Sequence, residues 1–419
     1  MARMGGVALI ALAVSGTAWG GDWPQWFGPG RDGRALDEPG FAAGWADGVR
    51  ELWRVPIGAG YASVAVADGV VAAMTTQGEE EQLLLLDAAT GAERWRARVG
   101  PAYIDGMSYH GPRATPSLVG DVVVALGGHG GLIVVDRATG ARRWAVDVAK
   151  THGGVAPQWG FSGSPLVHDG RVYLTTGNES GEGLLAVSLA DGTKVWSTGS
   201  FPAGYSSPIH ATLGGVPQIV FFTGEAAVGA RPSDGSTLWS HPWPTNYDVN
   251  AATPLVLGSN RLFIASGYGV GGALLLVTDA QEVSELWRTK KMKNKTSTSV
   301  LRDGVLYGFN EEALTALDAT TGEPHWTEKA YGRGTLVLAD DHLVVLDDQC
   351  TLHLLEATPE GHRVVGGSFA VGKASPCWTA PAVAQGVVYA RDGADLVAVE
   401  VRAMGPTPAP PPAVEPAAP

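Results

Sequence analysis

The sequence has few of the residues that build metal sites. It contains only two cysteines, Cys350 and Cys377, among 419 residues, and its ten histidines show no His-x-His or His-x-x-x-His spacing. Structural zinc sites use four cysteine or histidine ligands at short, characteristic spacings. The sequence therefore predicts no metal site of this type.

Basic residues are also scarce, because 29 lysines and arginines stand against 42 aspartates and glutamates, for a formal net charge of −13. A protein that binds nucleic acid without sequence preference, or that is attracted to anionic lipid, needs the opposite sign. After the extreme N-terminus, no run approaches the roughly 18 consecutive apolar residues of a membrane-spanning helix. We expect neither a nucleic-acid partner nor insertion into a membrane.

The N-terminus has the pattern of an export signal. Arg3 precedes an apolar run from Val7 to Val14 and a small-x-small ending at Ala18-Trp19-Gly20, which is typical of a secretory signal peptide over residues 1–20. A short buried helix is the alternative interpretation. Because no cysteine lies near the cleavage site, we predict a periplasmic or secreted protein without a lipid anchor.

Glycine and proline are abundant, at 58 and 27 residues, which favours many short strands joined by tight turns. Seven tryptophans recur 39 to 52 residues apart, a period that suits one four-stranded blade of a β-propeller. These predicted docking tryptophans are Trp53, Trp95, Trp144, Trp196, Trp239, Trp287 and Trp326.

A short phrase precedes several of these tryptophans. Five of them follow a glycine by four residues, and three of those also follow a threonine by five residues and an aspartate by eight. Aspartate and threonine side chains cap a tight turn, glycine takes the positive φ that closes it, and the tryptophan returns on the next strand. The complete phrases are DAATGAERW from Asp87, DRATGARRW from Asp136 and DATTGEPHW from Asp318.

Strand-like runs and small-residue-plus-proline starts divide the chain into eight units. The eighth unit is one strand short, and the stretch around Trp53 supplies the missing outer strand. We therefore predict an all-β eight-bladed propeller of four-stranded antiparallel blades over residues 50–403, closed by its N-terminal strand. An open β-solenoid or two separate sandwiches are the alternatives. Residues 21–49 form an N-terminal extension, and the Pro- and Ala-rich residues 404–419 a disordered tail.

The complete phrases resemble the tryptophan-docking motif of the PQQ-like, or quinoprotein alcohol dehydrogenase-like, β-propellers. The segment DWPQWFGPGRDG, from Asp22 to Gly33, and linker phrases such as HGPRATP resemble an exported bacterial branch related to the outer membrane protein assembly propeller. The sequence departs from the family pattern where Ser188 and Arg231 replace the turn aspartate and where Val283 replaces the glycine. The seventh unit ends near Phe369 without a tryptophan.

The linkers between blades cross one face of such a ring, together with the turns between second and third strands. These linkers are rich in aromatic and basic residues, which suits a flat anionic ligand or an extended peptide. Plugging of the channel by the same side chains is the alternative interpretation. The predicted funnel-face residues are Arg113, His152, Trp159, Tyr205, Tyr247, Asp248, Asn250, Lys291, Lys293, Asn294, Arg333 and Trp378.

The two cysteines map to that same face in neighbouring blades. In an oxidising compartment a disulfide between Cys350 and Cys377 is geometrically possible, and two separate buried thiols are the alternative. The sequence leaves this choice open.

The resemblance implies one of two function classes. Quinoprotein dehydrogenases bind PQQ with a divalent ion such as Ca²⁺, use a carboxylate as general base and often carry two adjacent cysteines. No adjacent cysteine pair is present, and Asp248 and Asn250 are incomplete as a calcium site. We therefore identify no catalytic residue, expect no cofactor, and predict an exported monomeric module that binds an envelope protein, a peptide or a small ligand. A PQQ- and Ca²⁺-dependent alcohol or sugar dehydrogenase is the alternative.

Overall fold

The structure is a computed structural model that describes residues 21–35, 37–38, 40–104, 110–373 and 377–401. The predicted signal peptide and the predicted C-terminal tail lie outside the described residues. Within the described part of the chain, no helix is long and apolar enough to cross a membrane.

Three short elements precede the repeating units: β1 (Arg34–Ala35), α1 (Phe41–Asp47) and β2 (Arg50–Pro56). Seven units of four consecutive strands follow, and an eighth unit contains three. Helix α2 (Val148–His152) lies after the second unit, and a short 3-10 turn (Asn246–Asp248) lies after the fourth.

The strands of the first four blades are β3 (Ala65–Ala67), β4 (Val70–Gln77), β5 (Glu80–Asp87), β6 (Glu93–Pro101); β7 (Ser117–Val119), β8 (Val122–Leu126), β9 (Gly131–Asp136), β10 (Arg142–Asp147); β11 (Leu166–His168), β12 (Arg171–Thr175), β13 (Leu184–Ser188), β14 (Lys194–Thr198); and β15 (Ile209–Leu213), β16 (Val216–Phe222), β17 (Ala226–Ala230), β18 (Thr237–Pro242). The strands of the last four blades are β19 (Leu255–Leu257), β20 (Arg261–Ser266), β21 (Gly271–Val277), β22 (Val283–Thr289); β23 (Val300–Arg302), β24 (Val305–Phe309), β25 (Leu314–Asp318), β26 (Pro324–Glu328); β27 (Thr335–Ala339), β28 (His342–Leu346), β29 (Thr351–Glu356), β30 (Val364–Ala370); and β31 (Ala382–Ala384), β32 (Val387–Arg391), β33 (Asp395–Glu400).

The N-terminal strand closes the ring. β2 pairs antiparallel with β33, so that Arg50 lies opposite Glu400 and Pro56 opposite Asp395, and this completes the fourth strand of the eighth blade. The prediction of an eight-bladed propeller of four-stranded antiparallel blades, closed in this way, is confirmed. One strand is additional, because β1 pairs parallel with β27 at the inner edge of blade seven.

The second and third strands of the blades carry most of the core. Every residue of β8 is buried, whereas the outer strand β10 of the same blade has no fully buried residue. A short continuous apolar run suits a strand that neighbouring blades cover on both faces. Burial of these side chains contributes about 25 cal/mol per Å² of apolar surface removed from water.

Tryptophans on the outer strands join neighbouring blades. Trp95 Nε1 donates a hydrogen bond to the carbonyl of Arg137 in the next blade at 2.9 Å. A Cβ atom on Gly140 would come within 2.7 Å of the Trp95 ring, so the turn glycine packs directly against the indole. The tryptophans that make this indole-to-carbonyl bond to the next blade are Trp53, Trp95, Trp144, Trp196, Trp287 and Trp326.

Trp239, which the spacing groups with the other six, behaves differently. Its Nε1 donates to Gln218 Oε1 within its own blade at 2.5 Å. Gln218 Nε2 donates to Gln281 Oε1 at 3.1 Å, and Gln281 Nε2 donates to the Leu213 carbonyl at 3.1 Å. A relay of two glutamines thus joins blades four and five, where Val283 replaces the usual glycine.

Residues 22–35, here called the plug segment, occupy the central channel that the inner strands surround. Trp23 exchanges two backbone hydrogen bonds with Val66 of β3, at 2.8 and 2.7 Å, and is 1% exposed. The Leu118 N–H of β7 donates to the Pro24 carbonyl at 2.8 Å. The first part of the N-terminal extension therefore lies inside the ring.

Arg31 fixes the plug segment from within. Its Nη1 donates to the carbonyls of Ser164 at 3.0 Å and Pro208 at 2.8 Å, and its Nη2 donates to the carbonyl of Pro165. The side chain is 2% exposed, and this burial lowers the pKa of Arg31 to about 9. The guanidinium still carries its charge at neutral pH and spreads it over backbone carbonyls.

Both ends of the plug segment leave the channel on the face opposite the linkers. Gln385 donates to Asp22 Oδ1 at 3.1 Å, and the Gly386 N–H donates to Glu38 Oε2 at 2.6 Å. Gln385 and Gly386 form the turn between β31 and β32, which lies on that face.

The chain then forms α1, which covers the outer strand of blade seven. Trp45 is 1% exposed, and its Nε1 donates to the Gly367 carbonyl of β30 at 2.8 Å. This blade has no tryptophan of its own on its outer strand, so the indole that packs there comes from the N-terminal helix.

Candidate functional site

The linkers between consecutive blades surround a cavity of about 310 Å³, here called the funnel cavity. This volume is at the lower end of the range of roughly 300 to 1,000 Å³ that is usual for small-molecule pockets. Each of the eight linkers contributes to its wall. One lining residue from each linker, in ring order, is Tyr61, Arg113, Trp159, Tyr205, Ala251, Lys295, Arg333 and Trp378.

Two aromatic pairs form much of the wall. The ring centroids of Tyr61 and Trp378 are 6.1 Å apart, and those of Trp159 and Tyr205 are 5.6 Å apart. The Trp159 N–H donates to the Tyr205 hydroxyl at 3.4 Å, and burial raises the pKa of Tyr205 above its ordinary value. These side chains therefore present flat, uncharged surfaces to a ligand.

Three cations complete the wall. The Arg113 guanidinium lies 5.6 Å from the centre of the Tyr61 ring, and Lys295 Nζ lies 4.5 Å from the centre of the Tyr268 ring. Arg333 forms an ion pair with Glu312, which does not line the cavity. No aspartate or glutamate lines the cavity in the described part of the chain, although the whole protein is strongly acidic. The cavity therefore favours groups with negative charge.

The plug segment closes the base of the cavity. Trp26 lines it, and Trp26 Nε1 donates to the Thr253 hydroxyl at 2.8 Å. The Trp26 ring also stacks on Phe27, with centroids 5.5 Å apart. The funnel cavity therefore has a closed base above the channel and is open on the linker face.

The structure brings five of the predicted funnel-face residues together in this wall: Arg113, Trp159, Tyr205, Arg333 and Trp378. They come from five different linkers, so the cavity exists only because the ring is closed.

Two predicted asparagines do not line the cavity and instead hold the linkers in place. Asn250 is completely buried, and its Nδ2 donates to the Thr223 carbonyl at 2.8 Å while its Oδ1 accepts from Ser266. Asn294 uses both ends of its amide in the same manner, donating to the Phe309 carbonyl at 3.1 Å. Their polar atoms are occupied by backbone and hydroxyl partners.

His152 is also buried outside the cavity. It ends helix α2, and its carbonyl accepts from Asn178 Nδ2 at 2.9 Å. Burial, and then the charge of Lys194, lower the pKa of His152.

The remaining predicted residues lie on the linkers that precede blades five and six. Tyr247 is 64% exposed, with its ring 6.5 Å from that of Trp159, and partial burial raises the pKa of Asp248. Lys293 Nζ pairs with Glu311 at 3.2 Å, and Lys291 is exposed. These side chains do not line the cavity.

Trp26 and Tyr268 line the cavity but are not among the predicted site residues. Trp26 belongs to the N-terminal extension, and no local pattern indicates that this extension reaches the channel. Tyr268 lies in the glycine-rich turn between β20 and β21, and turns of this kind share the linker face, which is the signal that identifies it in retrospect.

The donor set does not fit a calcium-bound quinone. Calcium takes six to eight oxygen ligands, mostly from carboxylates and amides. Among the described residues, no group of three or more His, Cys, Asp or Glu side chains is placed to hold a metal ion. The cavity wall offers no carboxylate, and the amide oxygens of Asn250 and Asn294 already accept hydrogen bonds.

Cys350 and Cys377 form a disulfide, with their Cα atoms 5.2 Å apart. It connects the turn before β29 in blade seven to the linker that leads into blade eight. Because Trp378 follows Cys377 directly, the bond also anchors the linker that carries one of the aromatic wall residues.

Among solved structures, BamB from Moraxella catarrhalis is similar with a TM-score of 0.60 and 16% identity, over 84% of this chain and 99% of that one. The quinohemoprotein alcohol dehydrogenase ADHIIG from Pseudomonas putida HK5 gives 0.66 and 12%, over 94% and 82%. The quinohemoprotein alcohol dehydrogenase from Comamonas testosteroni gives 0.65 and 12%, over 92% and 82%. Identities this low show a shared fold alone.

A search of the curated proteins gave no match. Residues 41–157 and 108–328 match the family model described as "Outer membrane protein assembly factor BamB". These overlapping stretches cover more than half of the chain and agree with the resemblance of the repeated phrases to PQQ-like propellers. The chain therefore belongs to the protein family described as outer membrane protein assembly factor BamB.

Proposed function

We propose that the protein is an exported, non-catalytic propeller that binds a segment of a cell-envelope partner in its funnel cavity. The observation that carries this proposal is the cavity wall itself, to which each of the eight linkers contributes a residue. A wall of aromatic faces and cations without carboxylates suits a peptide that presents apolar and acidic side chains.

The family description supports an envelope protein as the partner, because it names outer membrane protein assembly. The disulfide between Cys350 and Cys377 supports an oxidising compartment, as does the export signal predicted over residues 1–20. Closure of the ring by β2 pairs the free edge of β33 within the chain, so that no second copy is needed to complete the eighth blade, which supports a monomer.

Site-specific photocrosslinking in the producing cell tests this proposal. Tyr268 lines the cavity and is 36% exposed, so we expect Tyr268→benzoylphenylalanine to give a discrete protein adduct. Leu286 is 49% exposed on the outer strand of blade five and serves as the control position. Adducts of equal yield at both positions, or none at position 268, would contradict the proposal.

A matched pair of lysines refines the test. Lys295→Ala removes a cation from the wall, whereas Lys291→Ala removes an exposed cation from the same linker outside the wall. We expect the adduct at position 268 to weaken several-fold with the first variant and to persist with the second. The opposite ranking would place the partner on the exposed surface of the linkers, outside the cavity.

The alternative proposal is a PQQ-dependent dehydrogenase of alcohols or sugars. The flat aromatic walls and the three cations favour it, since they suit a planar anionic molecule. The lack of calcium ligands among the described residues is against it. Titration of PQQ and Ca²⁺ into the purified protein, followed by quinone absorbance and dye reduction, separates the two. Saturable binding with substrate-dependent dye reduction would favour the enzyme. An unchanged quinone spectrum would favour the non-catalytic binding function.

A further inference from the structure

The plug segment contacts at least one residue of every blade. Innermost strands of a propeller have one edge without a sheet partner, and their free N–H and C=O groups are available to an added strand. The blade residues or strands that contact the plug segment are, from blade one to blade eight, Val66, Leu118, Ser164, Pro208, Thr253, Val300, β27 and Gln385.

The segment has its own local fold. The Gly28 N–H donates to the Gln25 carbonyl at 3.2 Å, the Arg31 N–H to the Gly28 carbonyl at 3.1 Å, and the Gly33 N–H to the Phe27 carbonyl at 2.8 Å. The segment makes these three hydrogen bonds within itself and not with the ring, and bonds of this kind restrict the conformations that a binding peptide must give up.

The channel matches the segment in chemistry as well as in shape. Trp23 and Phe27 are each 1% exposed within it. The Arg31 guanidinium donates to three carbonyls from blades three and four and to Gln25 within the segment, with no carboxylate among these acceptors. A rigid guanidinium fork can satisfy several fixed acceptors together, which a lysine ammonium does less well.

We propose that the central channel is a specific peptide-binding site whose ligand is this chain's own plug segment. The ligand class is an extended aromatic peptide with a buried arginine, and it is held by added-strand pairing and by the arginine fork. The segment binds without its covalent connection, so the same sequence supplied separately, or by a second copy of the chain, occupies the channel.

The test cuts the connection after the full chain has folded. A protease site is inserted directly after Gly40, which is exposed at the start of α1, and the glycine itself is kept because its φ is +78°. Cleavage then breaks the covalent connection between residues 21–40 and the ring. We expect the peptide to co-elute with the ring at micromolar concentration, which corresponds to a Kd below about 1 μM. A labelled synthetic peptide of the same residues should exchange into the channel.

Two arginines of the segment provide matched variants. Arg31→Met removes the buried fork, and we expect retention of the cut peptide to weaken by about a hundredfold. Arg34→Met changes an arginine that is exposed at the edge of the segment, and we expect retention close to that of the unmodified chain.

Intact mass and circular dichroism of the eluted ring decide the outcome. A ring that loses the peptide at once and stays folded would show that the channel has no affinity of its own. A ring that unfolds as the peptide leaves would show that the segment is a structural part and not a ligand. Either result overturns the proposal, and so does equal retention of the Arg31→Met and Arg34→Met peptides.

Discussion

Between blades one and two, the Trp95 indole reaches into the next blade, where it donates to the Arg137 carbonyl and lies against Gly140. Between blades four and five, the Trp239 indole stays in its own blade and donates to Gln218. The link to blade five is then made by the amide of Gln281. The two junctions therefore join neighbouring blades with different atoms.

The turns that face these two tryptophans differ in length. In blade two the Asp136 N–H donates across the turn to the Ala141 carbonyl at 2.8 Å. In blade five the Thr278 N–H donates to the Glu282 carbonyl at 2.9 Å, so this turn is one residue shorter. The docking motif is thus a contact between a tryptophan and the turn of the following blade, and either partner can be replaced without opening the ring.

The largest effect is expected at a docking glycine. Gly140 has φ of +72°, and a Cβ atom there would lie 2.7 Å from the Trp95 ring. Gly140→Ala adds backbone strain and a steric conflict, and we expect it to lower the free energy of unfolding by about 3 kcal/mol. Urea unfolding followed by tryptophan fluorescence measures the loss.

A second glycine serves as the control. Gly120 has φ of +55°, but a Cβ atom there would meet nothing within 4 Å. Gly120→Ala therefore isolates the backbone strain, for which we expect about 1 kcal/mol. If both variants lose the same free energy, contact with the indole does not contribute to the junction.

A smaller effect is expected at the glutamine relay. Gln218→Leu leaves the Trp239 Nε1 and one end of the Gln281 amide without their recorded partners, and an unsatisfied buried donor costs about 1 to 3 kcal/mol. We expect a loss of about 2 kcal/mol in the same urea experiment.

The partner glutamine tests whether the relay acts as a unit. Gln281→Leu should cost less than Gln218→Leu, because Gln281 is only partly buried. The double variant should lose less than the sum of the two single losses, since both residues serve one chain of hydrogen bonds. Strict additivity would mean that the two amides act independently.

The ring could be predicted from the sequence because its signal repeats locally. Each docking tryptophan lies a fixed distance from its turn, and the incomplete last unit identifies Trp53 as the closing strand. The acceptor of each tryptophan is not encoded in that spacing, and for this reason the exception at Trp239 could not be predicted. Val283 indicates that the turn of blade five has changed, but nothing local indicates that Gln218 becomes the acceptor for the Trp239 indole.

The plug segment could not be predicted, because its environment is assembled from distant parts of the chain. The carbonyls that accept from Arg31 lie 133 to 177 residues away in the sequence. A stretch rich in Gly and Pro with three aromatic residues has no local periodicity that indicates burial. Only closure of the ring creates the channel that it fills.

From the sequence we could predict which face of the ring carries the candidate site, but not which residues line it. Composition identifies the linkers, but it does not say which residue of a linker points inward. Lys295 and Lys291 stand four positions apart on one linker, and only the first lines the cavity. Asn250 has the chemistry of a ligand residue, and its amide is used instead to bind the neighbouring backbone.

The smallest effect concerns the turn aspartates, and it depends on pH. Asp136 accepts hydrogen bonds from Arg143 at 2.9 Å and from the Thr139 N–H and hydroxyl at 3.0 and 2.9 Å, which lower the pKa of Asp136 from 3.8 to about 2. Because the pKa is lower in the folded state, its stabilising contribution is complete above about pH 4 and is lost as the pH falls towards 2. The turn of blade four has Arg231 at this position and lacks the contribution.

We therefore expect Asp136→Asn to flatten the acid dependence of stability in that window. The drop in the urea midpoint between about pH 5 and about pH 2.5 should be smaller for this variant than for the unmodified protein. Asp169→Asn is the control, because the structure records no side-chain hydrogen bond for this turn aspartate among the described residues, and we expect the unmodified pH dependence. If both variants flatten the curve equally, the effect comes from the overall negative charge of −13 and not from the docking turn.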